Sequence, residues 1–304
     1  MQLGVVDTQR PDWMKPLIPL LDSLGYTRYW TTEQHSPFQS SSPTVAAAIA
    51  GMLSNRMRVG TAGVLLPFYS PVKVVEDFKL LELMFRGRID LGIAGSDLVE
   101  PMRGALLDGR PVPRPDSYQA RVRELVRIVR CRESSTVSLT ASSTEALTWN
   151  QLGPRCRGTP ELWLCGTTER SARLAAELGL SYSFHEYLSA KARVGADYGP
   201  ANMRMYREAF DWTANSAGPT CNVACYGICA ETSARAAELW RQNFLGNEPP
   251  TSPNFCGTFD ECRAQLEALQ TRYDVNEIIV QSITTDFEAY LTSYELLARA
   301  CQLS

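Results

Sequence analysis

The chain has 304 residues, of which 44% are hydrophobic and 21% are charged, and its formal net charge at pH 7 is -3. These values are typical of a soluble globular protein that buries an extensive core. The small negative charge gives no basis for binding nucleic acid or an anionic membrane surface. The sequence contains no run of 18 apolar residues, so it predicts no membrane-spanning helix.

Short apolar runs alternate with amphipathic stretches along the whole chain, which favours strand–helix units and a parallel sheet. Gly25 and Gly179 are expected to end helices, and Pro71 suits a first helical turn because proline has no amide to leave unpaired. The predicted strands are Leu3–Val6, Tyr29–Thr32, Met57–Leu65, Ile89–Ala94, Glu161–Cys165, Tyr182–Phe184, Thr220–Cys229 and Asn276–Gln281. The predicted helices are Trp13–Leu24, Thr44–Leu53, Pro71–Met84, Tyr118–Arg130, Glu169–Leu178, Asn202–Phe210, Ser233–Phe244 and Phe287–Ala300.

Eight such alternations predict one closed (β/α)8 barrel domain over residues 1–304. An open dinucleotide-binding sheet would need a glycine-rich turn after its first strand, and the segment VVDTQRPDW has none. Two stretches, 98–116 and 134–160, break the alternation and are predicted to be loop insertions. Each is either a wall or lid of a substrate site or a plain surface connection.

The nine cysteines are scattered and odd in number. Without a recognisable signal peptide, this favours a reduced, cytoplasmic protein. Cys221, Cys225 and Cys229 form a C-x3-C-x3-C run, for which a metal site is one interpretation. The run alternates small and apolar residues, however, so we favour a strand with buried thiols and expect no metal.

Two clusters suggest a site at one end of the barrel. The turn Gly166-Thr167-Thr168-Glu169-Arg170-Ser171 leads from a strand into a helix, and free amides at a helix N-terminus suit a phosphate. Alternatively, Thr167 or Thr168 serves only as a helix cap. Glu33, Gln34 and His35 end the second strand, where barrel enzymes place catalytic groups, although a structural role for His35 is the competing interpretation.

Taken in order, several segments resemble the bacterial luciferase-like flavin-dependent monooxygenases. They are GYTRYWTTEQHS, RVGTAGVLLPFYSPVKVVEDFKLLE, RGRIDLGIAG and ELWLCGTTERSARLAAELGLSYSF. The resemblance extends over nearly the whole chain. It implies a (β/α)8 barrel that binds reduced FMN, or a deazaflavin in some branches, at the C-terminal mouth.

The resemblance also implies roles for particular residues. A non-proline cis peptide is expected beneath the flavin ring at the end of the third strand. Two positions depart from the family: Gln34 replaces the first histidine of a pair, and Gly95 replaces an arginine that helps to hold the phosphate, so Arg103 or Arg110 is a possible substitute. The implied cofactor contacts are Ala62, Gly63, Ala94, Gly95, Gly166, Thr167, Thr168 and Ser171. The implied catalytic residues are His35, Gln34 and Glu33, and the implied substrate contacts are His185 and Phe184.

The expected activity is oxygenation of a small apolar or aromatic substrate with O2 and reduced FMN supplied by a separate flavin reductase. A homodimer is expected through the helices Thr44–Leu53 and Pro71–Met84, which carry more apolar residues than one buried stripe needs. Two other activities remain open. One is a degenerate accessory subunit, which the departures at Gln34 and Gly95 suggest, and the other is a deazaflavin-dependent dehydrogenase.

Overall fold

The apolar runs of the sequence form parallel strands. The computed structural model describes residues 1–8, 10–36, 39–110, 115–131, 149–189, 197–244 and 252–303. Its strands are β1 (Gln2–Asp7), β2 (Arg28–Thr31), β3 (Arg58–Thr61), β4 (Val64–Leu65), β5 (Ile89–Ala94), β6 (Glu161–Gly166), β7 (Ser181–His185), β8 (Cys221–Cys229), β9 (Phe255–Gly257) and β10 (Glu277–Ser282).

The strand order closes the sheet into a barrel. Strands β10, β1, β2, β3, β5, β6, β7 and β8 pair side by side in that order, and β10 also pairs with β8. Strand β4 pairs with β5, and β9 pairs with β8 outside the closed ring. The predicted (β/α)8 barrel is therefore confirmed.

Helices connect successive strands and cover the barrel. They are α1 (Met14–Ser23), α2 (Pro43–Leu53), α3 (Pro71–Met84), α4 (Met102–Leu107), α5 (Pro115–Arg130), α6 (Glu169–Glu177), α7 (Glu186–Ser189), α8 (Tyr198–Glu208), α9 (Ser233–Asn243), α10 (Phe259–Tyr273) and α11 (Phe287–Ala300). Gly25 and Gly179 have φ values of 84° and 55°, as a glycine that ends a helix requires. In the described ranges, no helix is both long and apolar enough to cross a membrane.

Side chains pointing inward fill the barrel from its amino-terminal end. At that end the buried Asp90 carboxylate accepts hydrogen bonds from Arg28 Nη1, Trp30 Nε1 and Arg58 Nε, each at 2.8 Å. In the next layer the rings of Trp30 and Trp163 lie 5.0 Å apart, and the Arg28 guanidinium lies 4.8 Å from the Trp163 ring. The buried charges of Arg28 and Asp90 pair with each other, as a low-dielectric interior requires. Side chains therefore fill the interior at the amino-terminal ends of the strands, and a cavity is left at the carboxyl ends.

The structure differs from the predicted elements in four places, one of which is the unpredicted helix α7 (Glu186–Ser189) directly after β7. The predicted strand Met57–Leu65 is divided into β3 and β4, because the chain changes direction at Ala62 and Gly63. Helix α10 and strand β9 were not predicted, although Thr258 and Glu261 form a capping box that starts α10. Within the insertion 98–116, α4 is helical. Residues 134–148 of the second insertion lie outside the described residues.

The C-x3-C-x3-C run is a strand, as predicted. Cys221–Cys229 forms β8, and the thiols of Cys225 and Cys229 are buried. Burial raises the pKa of Cys225 well above its ordinary value, so this thiol stays protonated. The run therefore contributes small side chains to the packing between β8 and the helices.

Candidate active site

A cavity of about 200 Å³ opens at the carboxyl ends of the barrel strands. An adjoining cavity of about 460 Å³ shares part of its wall, including Cys165, and reaches α6. The predicted residues that line the first cavity are Glu33, Gln34, Ala62, Gly63, Ala94, Gly166, Thr167 and His185. Those that line only the second are Gly95, Thr168 and Ser171. His35 and Phe184 line neither.

One wall of the first cavity is made of backbone and methyl groups. Ala62 and Ala94 line it from neighbouring strands. A Cβ on Gly63 would lie 2.8 Å from the carbonyl carbon of Gly92, so only glycine fits there. The Ala62–Gly63 peptide bond is cis, as the resemblance implied. A wall with so little side chain lets a planar ring lie directly against the backbone.

Glu33 lies at the edge of the cavity, directly after the end of β2. Its side chain is 0% exposed. Oε2 accepts a hydrogen bond from the Leu65 backbone N–H at 2.8 Å, and Oε1 lies 2.8 Å from Tyr69 Oη and 2.9 Å from His35 Nε2. Burial and the nearby Glu33 charge raise the pKa of Tyr69 well above its ordinary value, so its hydroxyl remains a donor. Glu33 therefore ties β2 to the segment that follows the cis peptide.

The other two predicted catalytic residues occupy different environments. Gln34 is exposed and lines the cavity, and its backbone N–H donates to the Ser40 carbonyl at 2.8 Å. The His35 side chain is only 9% exposed and directs Nε2 at Glu33. The structure thus brings Glu33 and Gln34 to the cavity and places His35 behind Glu33, where it supports that carboxylate.

Helix α6 begins beside the adjoining cavity with a capping box. Thr168 Oγ1 accepts from the Ser171 N–H at 3.2 Å, and Ser171 Oγ lies 3.2 Å from the Thr168 backbone nitrogen. The helix-cap interpretation of Thr168 is therefore confirmed. The first-turn amides of Glu169 and Arg170 have no acceptor within the helix, because no turn precedes them. These amides and the positive end of the helix dipole favour an anion at this cavity.

Space beside Gly95 is filled by an aromatic ring. A Cβ on Gly95 would lie 2.8 Å from two ring carbons of Tyr118, so an arginine does not fit here without moving Tyr118. The two substitutes that the sequence suggested have other partners. Arg103 pairs with Asp97 and Glu100 at 2.9 Å each. Arg110 donates to the carbonyls of residues 106 and 107, each at 2.8 Å.

Arg170 supplies the positive charge at this end of the site. It is the only cationic residue among the described residues that line the adjoining cavity. Its side chain is exposed and starts from the first turn of α6, next to Thr168 and Ser171. Sequence reasoning did not select Arg170 as a site residue. Its position in the sequence could have indicated this role. Arg170 comes two residues after Thr168, in the first turn of the helix, so its side chain lies near the helix start.

His185 brings an uncharged imidazole to the first cavity. It is 3% exposed, and burial lowers its pKa to about 4. His185 Nδ1 lies 3.2 Å from Tyr187 Oη, and Tyr187 also lines the cavity. Phe184 points the other way, because side chains alternate along a strand, and its ring packs 5.7 Å from the ring of Tyr273. Tyr187 lies in helix α7, directly after β7, and also lines the mouth of the barrel.

A family model described as luciferase-like monooxygenase matches residues 4–273. The chain belongs to this family. Among the relatives, Bacillus subtilis YceB is 31% identical, and the alignment covers 93% of this chain and 91% of YceB. A luciferase-like monooxygenase of Escherichia coli strain K12 is 26% identical, with 92% of this chain and 88% of that protein covered.

Solved structures show the same luciferase-like barrel. Apo-MsnO8 has a TM-score of 0.85 at 27% identity, covering 100% of this chain and 99% of that one. The oxygenating constituent of 3,6-diketocamphane monooxygenase from Pseudomonas putida, solved with FMN, has a TM-score of 0.71 at 17% identity, with 99% and 97% covered. An F420-dependent secondary alcohol dehydrogenase has a TM-score of 0.72 at 16% identity, with 98% of each chain covered.

Proposed function

We propose that this luciferase-like protein is a flavin-dependent monooxygenase that uses reduced FMN and O2 to oxygenate a small organic substrate. The observation that carries the proposal is the continuity of the two cavities. A side-chain-poor wall suited to a planar ring leads, through shared residues, to a helix N-terminus suited to a phosphate. FMN has those two parts, a planar ring and a phosphate, joined by a flexible chain.

The residues present fit this cofactor. Ala62, Gly63 and Ala94 would lie against the ring, since bulkier side chains there would occupy its place. A Cβ on Gly166 would lie 2.7 Å from Ser171 Cβ, so glycine keeps the path between ring site and phosphate site open. The phosphate would be held by Thr167, Thr168, Ser171 and Arg170. Arg170 would take over the role of the family's arginine, whose position Gly95 occupies in this chain.

When bound, the reduced flavin supplies two electrons, so that one oxygen atom of O2 enters the substrate and the other leaves as water. The chain's own residues bind, orient and shield the reactants. Gln34 presents an amide that donates and accepts hydrogen bonds at the cavity. Glu33 fixes the segment around Leu65, and His35 holds Glu33 in place. His185 and Tyr187 form the polar part of the opposite wall.

A reductase and a second copy of the chain are the proposed partners. Reduced FMN has to be made elsewhere, and we expect a separate flavin reductase to supply it. A homodimer through α2 and α3 is supported by six large apolar side chains that are between 43% and 72% exposed. They are Val45, Ile49, Met52, Leu80, Leu83 and Met84. Exposed apolar patches of this kind are typical of protein interfaces.

The test is turnover with a flavin reductase, NADH, FMN and a panel of small apolar and aromatic compounds. Formation of an oxygenated product, detected by mass spectrometry with ¹⁸O2 as the label source, is the expected result. Parallel anaerobic reactions of secondary alcohols with oxidised F420 test the dehydrogenase alternative, because a dehydrogenase transfers hydride from its substrate to the oxidised deazaflavin. Binding of FMN without any product from the panel would favour an accessory subunit, and binding of neither cofactor would contradict the proposal.

A further inference from the structure

Residues 96–110 form part of the wall of both cavities. Ser96 and Asp97 line both, and Leu98 lines the first. In the described parts of the chain, every hydrogen bond and ion pair made by residues 96–110 ends within the same segment. Moving this part of the wall therefore breaks no hydrogen bond to the barrel, whereas moving a strand end would break the bonds between neighbouring strands.

The same bonds make the segment stiff within itself. Arg103 donates from Nη1 to Asp97 Oδ2 and from Nε to Glu100 Oε1, both at 2.9 Å. The other Glu100 oxygen accepts from the Gly104 N–H at 3.1 Å. Helix α4 continues from there to Leu107. Because the start of the segment is bonded to its helix, residues 96–110 are built to move as one unit.

Apolar side chains are what hold the segment against the barrel. Leu107 is only 4% exposed and packs in one cluster with Leu65 and Phe68. Leu98 and Leu106 are partly buried against the same cluster. Apolar contacts have no preferred direction, and separating them leaves no polar group without a partner. The attachment can therefore open and close again without a hydrogen-bonding penalty.

A glycine lies at each end of the segment. Gly95 follows β5 directly, and Gly109 comes two residues after α4. Gly109 has a φ of 74°, and a Cβ built on it would meet no atom of the described chain within 4 Å. Glycine tolerates large changes of φ and ψ, as the ends of a moving segment require. The backbone can thus turn on both sides of the segment.

The first cavity has to enlarge for the proposed reaction. Its volume is about 200 Å³, whereas sites for small molecules usually have about 300–1,000 Å³. The proposed function places the flavin ring and the substrate side by side in this cavity. Ala62, Gly63 and Ala94 are fixed by the strands that they end or join. Segment 96–110 is a part of the wall that can yield without breaking bonds of the barrel.

We propose that residues 96–110 are a lid that swings about Gly95 and Gly109 to admit flavin and substrate, and that closes with Leu98 over the reactants. The inference rests on the proposed monooxygenase function and deepens it, because it names the segment that shields the reaction from water. Leu107 is the contact that keeps the lid closed when the site is empty.

Amide hydrogen exchange of the full chain, followed by mass spectrometry, tests the lid without any ligand. The hydrogen-bonded amides of residues 96–110 should exchange together and at least about tenfold faster than those of β5, because the lid opens without global unfolding. Leu107→Ala should accelerate exchange throughout the lid by about tenfold or more and leave β5 unchanged. The matched control is Leu239→Ala, which truncates an equally buried leucine on α9 and should leave lid exchange unchanged.

Two results of this experiment would overturn the lid. One is exchange of residues 96–110 as slow as that of β5, and the other is equal acceleration of both segments in Leu107→Ala. Either would show that the segment opens only when the whole barrel unfolds.

The same measurement under anaerobic conditions with saturating reduced FMN tests closure. Exchange of residues 96–110 should slow by about tenfold or more, while the turn around Asp211, which lies between α8 and β8, should not change. Binding of reduced FMN with unchanged lid exchange would overturn the proposal. Absence of FMN binding, measured by calorimetry on the same samples, would contradict the proposed function instead, and the exchange measured without ligand would still decide whether the segment opens as a unit.

Discussion

Glu33 allows the interpretation of the β2 corner to be tested quantitatively. Replacing Glu33 with Ala leaves the Leu65 N–H, the Tyr69 hydroxyl and the His35 imidazole without their shared acceptor. The Leu65 amide is buried and incurs the full cost of an unpaired donor, about 1–3 kcal/mol. Tyr69 and His35 are partly exposed and recover part of their loss through water. We therefore expect the free energy of unfolding to fall by about 3–5 kcal/mol.

Urea unfolding followed by tryptophan fluorescence measures this change. With a slope of about 3 kcal/mol/M, the midpoint should fall by roughly 1–1.5 M. Glu33→Gln keeps the shape and one acceptor oxygen, so it should lose only about 1.5–3 kcal/mol, the value of a charge-assisted bond. Gln34→Ala is the matched control, since Gln34 is the exposed neighbour, and its midpoint should stay near that of the unmodified protein. A Glu33→Ala protein of normal stability but without turnover would refute the anchoring role and make Glu33 a reactant.

Three further predictions concern the phosphate turn, the assembly and the pH dependence. Arg170→Ala and the double variant Thr168→Ala with Ser171→Ala should each weaken FMN binding, by about 1 kcal/mol per group removed. Riboflavin binding should stay nearly constant, and equal losses for both flavins would show that the turn holds no phosphate. The protein should have a dimeric mass by light scattering, and Leu83→Glu with Ile49→Glu should give a folded monomer, whereas a monomeric unmodified protein would contradict the interface. Because burial lowers the pKa of His185 to about 4, the unfolded chain binds the proton more tightly, so stability should decline as pH falls from about 6.5 to about 4, by up to about 3 kcal/mol. His185→Gln should remove that part of the decline in urea titrations, and an identical pH profile would exclude His185 as its source.

The barrel and most of the cavity could be predicted because they depend on local patterns. Strand β5 and helices α3 and α11 have the predicted bounds, since each apolar run is flanked by clear start and stop residues. Residues at the carboxyl ends of parallel strands meet at one mouth whatever the details of packing. This is why Glu33, Gln34, Gly166 and His185 all line one cavity.

What could not be predicted depends on contacts between distant segments. Glu33 is buried because Leu65 and Tyr69, from the segment after β3, donate hydrogen bonds to its carboxylate. The position of His35 beside that carboxylate follows from the same contacts. The ring of Tyr118 beside Gly95 comes from a helix more than 20 residues further along the chain. Phe184 was assigned to the substrate site because an aromatic side chain suits an apolar or aromatic substrate, whereas the alternation of side chains along β7 turns it away from the cavity that His185 lines.

The measurement that tests the central claim most directly is an anaerobic calorimetric titration of the full chain with reduced FMN, reduced riboflavin and reduced F420. We expect saturable binding of one reduced FMN per chain, with weaker binding of riboflavin because it lacks the phosphate that α6 and Arg170 would hold. Absence of binding by reduced FMN at concentrations that saturate other flavin oxygenases would contradict the flavin site. Tighter binding of reduced F420 would assign the site to the deazaflavin instead.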